Sequence, residues 1–372
     1  MFKTITLVLT NKCNLRCSYC YEEGKALASI DFNKVKEIID EEIEDVEGYD
    51  EFIFDLFGGE PFIEFEMIKN IYQYISEKKN IKLPWCLFIT TNGTQLTPEI
   101  KKWLVEHKDK IICGLSMDGI KIVQDHDRSN SYDLLDYKFF ADTYPKQGVK
   151  MTVSKFGLKY LFESVKHLIE VGFNKIDSNL AYGIPWDIEN DGKILKEQLE
   201  LLMKYYLDND IKAECRFLSE PLYLLGQDDG TFKTYCGSKH YLHLYDVDGE
   251  KYPCHLFMPS SVKERKKHFD EVDIPKEYMD MSRVDEKCKN CKIKRICHFC
   301  FGANYVKNND IYKIDNEYCE MYKIVFRANA EFQMQLWNKG KIEFDDDVQE
   351  KAWILGVQTV LESTDDKKTN AR

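Results

Sequence analysis

No run in this chain approaches 18 consecutive apolar residues, so no segment reads as a membrane-spanning helix. Positive charge is in deficit: 64 acidic side chains against 52 basic ones leave a net charge of -12. Without a positive field to collect phosphates or anionic lipid, neither nucleic acid nor a membrane is an expected partner. The opening MFKTITLVLTNKC lacks a small-residue cleavage site and reads as the first strand of a cytoplasmic protein. Internal repeats and low-complexity segments are also missing. What is left is a 372-residue chain, 44% apolar, long enough for one large domain and a smaller one.

Cysteine, by contrast, is plentiful. There are 13, and ten of them fall into two groups. In a reducing cytosol closely spaced cysteines hold metal more often than they pair, and an odd total fits poorly with a complete disulfide framework. Cys86 and Cys113 lie inside apolar strand patterns and read as core residues.

Up to about residue 182, short β-rich runs at 4–10, 52–57, 86–91, 111–116, 149–154 and 174–181 alternate with helical patterns near 32–47, 65–79, 97–107, 133–144 and 158–171. Repeated βα units of this kind build a parallel sheet. The fold expected is α/β, a partial (β/α)6 barrel, because a closed barrel needs eight units. Helical patterns follow at 187–208 and 319–338, with a cysteine-rich, turn-rich region between them. The domains expected are therefore 1–210, 211–340 and a C-terminal extension 341–372 whose last residues, ESTDDKKTNAR, are polar enough to fray.

Cys13-x3-Cys17-x2-Cys20 falls in the loop after the first strand, at the end where βα barrels carry their active sites. Iron-sulfur clusters normally take four thiolates, so a tight group of three implies one iron with an exchangeable position, which an amino acid can chelate. Zinc completed by a distant histidine, or ordinary loop cysteines, are the bland alternatives.

The trio, with Tyr19 before its last cysteine, resembles the radical S-adenosylmethionine superfamily. The resemblance continues in Gly58-Gly59-Glu60-Pro61 after the second strand, where that family receives the methionine amine on backbone. Glycine at both positions allows close backbone approach. It continues again in Ser116-Met117-Asp118-Gly119 after the fourth strand, where Ser116 and Asp118 lie at the family's ribose contacts, followed by His126-Asp127-Arg128.

The later cysteines Cys236, Cys254, Cys288, Cys291, Cys297, Cys300 and Cys319 resemble the SPASM domain, an extension carrying two auxiliary 4Fe-4S clusters. The usual pattern has three residues between Cys297 and Cys300, and this chain has two. The resemblance implies that Cys288, Cys291, Cys297 and Cys319 hold one auxiliary cluster and that Cys236, Cys254 and Cys300 supply three ligands to the other. Cys215 is the candidate fourth ligand; otherwise that iron is open to substrate. Four-thiolate zinc is the alternative for Cys288 to Cys300, though zinc ribbons space their pairs by roughly 15–20 residues.

Together these resemblances imply S-adenosylmethionine and three 4Fe-4S clusters as cofactors, and an oxidoreductase that modifies a ribosomally made peptide by a thioether or carbon-carbon crosslink. His255, next to Cys254, is the candidate base; it resembles the thioether-forming maturases, whereas sulfatase maturases that oxidise a residue to formylglycine carry aspartate there. Sulfatase-type maturation is the alternative, and an iron-sulfur electron carrier is the rival from another class; the latter would need neither the Gly-Gly-Glu-Pro motif nor the Ser116/Asp118 pair. Expected partners are a precursor peptide and a reductant such as flavodoxin or ferredoxin; with twelve residues before Cys13, either a separate leader-binding protein recognises the leader, or the precursor docks in the barrel mouth, or there is no leader.

Overall fold

The computed structural model describes residues 1–22, 27–227, 232, 234, 236–262 and 272–364. The chain divides into two units: Met1–Met151 with Glu170–Asn174 and Gly237–Ile274, and Thr152–Ile169 with Lys175–Cys236 and Pro275–Arg372. Residues 237–274, beyond the expected boundary near 210, thus belong to the first unit.

The first unit is built on strands β1 (Phe2–Thr10), β2 (Glu51–Gly58), β3 (Trp85–Thr91) and β4 (Ile111–Leu115). They run parallel and are separated by helices α1 (Phe32–Glu42), α2 (Phe65–Glu77) and α3 (Pro98–Glu106). Two of the three begin at a side-chain cap: Asp31 accepts from Asn33 and Lys34 N–H before α1, and Thr97 accepts from Ile100 N–H before α3, with Pro98 in its first turn. Strands Leu242–Tyr245 and Lys251–Tyr252 extend the sheet at the free edge of β1, the first parallel to it.

Side-chain alternation sets the two faces of the sheet. On β2, Phe52, Phe54 and Leu56 are buried, while Ile53, Asp55 and Phe57 are half-buried. On β3, Leu87 and Ile89 are buried, while Phe88 and Thr90 are half-buried. One face packs under the helices and the other lines a lumen that solvent reaches. Helix Lys121–Asp127 follows β4 in a stretch where sequence placed none. The helix expected at 133–144 is a 3-10 turn Tyr132–Leu134 and a helix Tyr137–Thr143, parted by the extended backbone of Leu135.

In the second unit, strands Lys175–Leu180 and Glu214–Cys215 pair in parallel. The long helices Asp191–Asn209 and Asn316–Asn338 form its core, with Leu195, Leu199, Leu202, Val325 and Phe326 buried. A further helix, Asp347–Ser363, occupies the stretch expected to be an extension. Residues 365–372, the end of the tail expected to fray, lie outside the described residues. Among the described residues no helix is long and apolar enough to cross a membrane.

Candidate functional site

The cysteine loop after β1 is latched by three neighbouring segments. Gly59 N–H donates to Thr10 C=O at 2.8 Å and Glu60 N–H to Lys12 C=O at 2.9 Å. A Cβ on Gly58 would stand 2.3 Å from Thr10 C=O, and one on Gly59 would stand 2.3 Å from Lys12 C=O and 2.9 Å from Cys13 Cβ. The two glycines are therefore needed to seat the cysteine loop itself. An amine requires carbonyl acceptors, so this use of N–H groups does not compete with the contact expected there.

Glu60 is fully buried and ties β2 to β3. It accepts from Thr91 Oγ1 at 2.7 Å, Asn92 N–H at 2.7 Å and Phe62 N–H at 3.1 Å. Burial nonetheless pushes its carboxyl up to about 7. Asn92 in turn reaches the loop, donating to Asn14 Oδ1 at 3.0 Å and toward Cys13 Sγ at 3.9 Å.

The third latch is the segment after β4. Arg16 N–H donates to Ser129 Oγ at 2.8 Å, and Ser18 donates through N–H to Asp127 C=O at 2.9 Å and through Oγ to Asp127 Oδ1 at 2.7 Å. His126 Nδ1 lies 2.9 Å from the same Asp127 oxygen. Asp118 is fully buried; Arg128 binds it with both Nε (2.8 Å) and Nη2 (3.1 Å), and Tyr19 donates its hydroxyl to it. Both Asp118 oxygens, at the position of the expected ribose contact, accept hydrogen bonds from the chain's own side chains. Ser116, just past the end of β4, is half-buried.

Cys13, Cys17 and Cys20 form no disulfide, are partly exposed and lie close enough to influence one another. Burial, opposed by Arg128, pushes Cys17 up to about 11. Among the described residues no three His, Cys, Asp or Glu side chains converge as ligands of a single ion. Three thiols outside any disulfide, on one short, externally latched loop, are a donor set suited to a polynuclear cluster, whose ligands stand around its corners.

His255 lies in the first unit, sandwiched between Phe57 (ring centroids 4.9 Å, 18°) and Tyr21 (5.9 Å, 22°). Its Nδ1 is buried with no hydrogen-bond partner. Burial and the positive charge of Lys150 push it down to about 4, so it is a neutral imidazole at neutral pH.

In the second unit Cys288, Cys291, Cys297 and Cys319 lie within one another's fields, and burial raises all four. Cys300 feels Cys236 instead. Cys291, Cys297, Cys300 and Cys319 line one cavity with Tyr182, Tyr318 and Tyr322. Tyr182 stacks on Tyr318 at 4.6 Å, and Tyr318 packs on Tyr322 at 4.8 Å. This aromatic wall escaped sequence reading; its signal was the pair Tyr318 and Tyr322, one helical turn apart and flanking Cys319. Cys215 is buried, 3.7 Å from Ser178 Oγ. Cys113 is buried as expected, while Cys86 is half-buried.

Residues 7–133 match the family model described as Radical SAM superfamily. The chain is 30% identical over 185 residues to the uncharacterized protein MJ0907 of Methanocaldococcus jannaschii, a match covering 48% of this chain and 62% of that protein. It is 21% identical to the radical SAM cyclopropyl synthase TigE of Paramaledivibacter caminithermalis, over 90% of this chain and 75% of that one. With the cysteine-type anaerobic sulfatase-maturating enzyme of Clostridium perfringens it shares 23% identity over 84% and 92% of the two chains. Its fold is similar to native anSMEcpe with bound AdoMet and Kp18Cys peptide (TM-score 0.69, 19% identity, 91% of this chain and 100% of that one). It is also similar to Streptococcus suis SuiB bound to the precursor peptide SuiA (TM-score 0.56, 16% identity, 85% and 75%).

Proposed function

We propose that this chain, which carries a radical SAM domain, reductively cleaves S-adenosylmethionine and oxidatively modifies a ribosomally synthesised peptide, forming a thioether or carbon-carbon crosslink. The observation that carries this reading is the second cysteine set. Four thiols of one unit act on one another and a fifth, Cys300, answers to Cys236, a donor inventory that a simple radical initiator does not need. The division 1–210 for a partial barrel and 211–340 for an auxiliary-cluster domain belongs to the same proposal.

When bound, the clusters and S-adenosylmethionine supply a 5'-deoxyadenosyl radical and an acceptor for the electron left on the substrate. The chain's own part is positional. Cys13, Cys17 and Cys20 hold the first cluster, and the Gly59, Asp127 and Asp118–Arg128–Tyr19 contacts fix their loop. Gly58 through Pro61 and Ser116 face the S-adenosylmethionine end of the sheet. His255, clamped between two rings, presents an imidazole to the lumen as the proposed acceptor of a substrate proton.

A sulfatase-type oxidation is the second reading, favoured by the similarity spanning 92% of the Clostridium perfringens enzyme. Product mass separates the two. Anaerobically reconstituted protein is incubated with a reductant, S-adenosylmethionine and short peptides encoded in neighbouring reading frames. A crosslinked product keeps its sulfur and loses two hydrogens, whereas formylglycine made from cysteine has lost the sulfur. Absence of 5'-deoxyadenosine, or its persistence when Cys13, Cys17 and Cys20 are all changed to alanine, would defeat the proposal.

A further inference from the structure

The lumen face of the first unit carries polar groups that the cluster loop does not use. Asp55 on β2 accepts from Thr6 Oγ1 at 3.0 Å through Oδ2, but its Oδ1 is buried with no partner. Phe57, two residues on and on the same face of the strand, is the ring against which His255 stacks. His255 Nδ1 is the second buried, unpartnered polar atom here. Lys150 supplies a cation that acts on both Asp55 and His255, and its ammonium donates to Thr90 Oγ1 at 2.8 Å. Tyr21 feels Asp55 while stacking on His255, so the four side chains share one small volume.

Leaving a buried acceptor unsatisfied costs stability, and sites that bear such a cost are held ready for a ligand. The arrangement is bipolar: an acceptor on Asp55, a donor cation on Lys150, and an imidazole able to do either. A hydrocarbon would leave Asp55 Oδ1 and His255 Nδ1 unmet, and a lone ammonium or carboxylate would satisfy one end and be repelled at the other. An amide group carries both N–H and C=O in fixed geometry. We propose that Asp55, Lys150 and His255 form a binding site for an amide of the peptide substrate, either backbone or an Asn or Gln side chain. This deepens the proposed function and rests on that reading for the identity of the ligand as a peptide.

Saturation-transfer NMR on the anaerobically reconstituted full chain tests it, with acetamide, methylammonium and acetate as probes. Acetamide is expected to give a signal at least several-fold above the other two, and Asp55→Leu and Lys150→Met are each expected to abolish it. Preference for methylammonium or acetate, equal signals from all three, or no acetamide signal would overturn the assignment. Thermal melting gives a ligand-free arm. Removing an unsatisfied carboxylate should leave Asp55→Leu at or above the parent melting temperature. Asp55→Asn, which preserves size, guards against a steric artefact. A melting temperature lowered by several degrees in both variants would mean that Asp55 serves the fold through Thr6, and the proposal would fall. A chain that cleaves S-adenosylmethionine but ignores acetamide defeats only this proposal. A chain that binds acetamide but never cleaves S-adenosylmethionine defeats the enzyme reading instead.

Discussion

Glu42 is the single side chain on which most of the first unit's sheet base depends. Lys3, fully buried on β1, lies 2.9 Å from its Oε2, as does His243 Nδ1 at 2.7 Å, while Lys251 Nζ at 2.9 Å and the Tyr245 hydroxyl bond Oε1. One carboxylate thus ties α1 to three strands. Burial pushes the carboxyl up, but the four partners outweigh it and hold Glu42 well below its ordinary value of 4.5. The unfolded chain therefore takes up the proton first as pH falls, so the stability Glu42 lends is complete above about 4.5 and drains below it. Urea unfolding followed between neutral and acid pH should show that loss, and Glu42→Gln should flatten it. The same variant leaves Lys3 buried without its main counter-charge, a loss of about 3–5 kcal/mol at neutral pH. An unchanged acid slope in Glu42→Gln would assign the effect to other carboxylates. At the other end of the sheet, Arg128→Gln strips Asp118 of its bidentate partner and loosens Tyr19. Iron analysis should then show about four irons fewer, the complement of one cluster, with the second-unit cysteines still loaded.

The six leading strands were legible because apolar runs between turn signals mark them, and each lies within two residues of its expected bounds. Asp55 and Lys150 were readable in principle as charged residues inside strand patterns, but alternation tells only that they leave the helix-packed face, not that they meet. Asp118 is similar: a short polar residue at a strand end reads as a sugar contact, while its pairing with Arg128, ten residues on, is visible only in the folded chain. Helix Asp347–Ser363 was not placed within the extension expected at 341–372, and Gly356 sits in its middle. Its purpose is contact: a Cβ there would stand 2.0 Å from Leu222 C=O, and one on Gly226 would stand 1.9 Å from Ala352 C=O. Two glycines let this helix and Tyr223–Gly226 touch backbone to backbone. Gly356→Ala would gain about 1 kcal/mol of helix propensity but forces two backbones apart, at about 1–3 kcal/mol or more. The net expectation is a lower denaturation midpoint. A variant as stable as the parent would show that the helix can shift freely and that its docking is not tightly specified.

Across the whole molecule, the question that geometry leaves sharpest is how the second cysteine set divides. Two observations on Cys300 pull apart: it shares a cavity wall with Cys291, Cys297 and Cys319, yet the thiol whose charge reaches it is Cys236. Tyr182 lies within the field of Cys300 and stacks on Tyr318, the residue before Cys319, so an aromatic pair stands beside both thiols. Thiol charge falls off with distance and with intervening low-dielectric matter, so mutual influence is the better guide to which sulfurs can share a cluster. The division we propose is one set of Cys288, Cys291, Cys297 and Cys319 and another containing Cys236 and Cys300. Iron and sulfide analysis of anaerobically prepared protein should give roughly eleven to twelve irons per chain. Changing Cys288 and Cys319 together to alanine should remove about four, Cys300→Ala should remove a different four, and the combination should remove about eight. If the combined variant loses no more iron than either alone, Cys300 shares a cluster with Cys319 and the cavity wall, rather than the field, was the true guide.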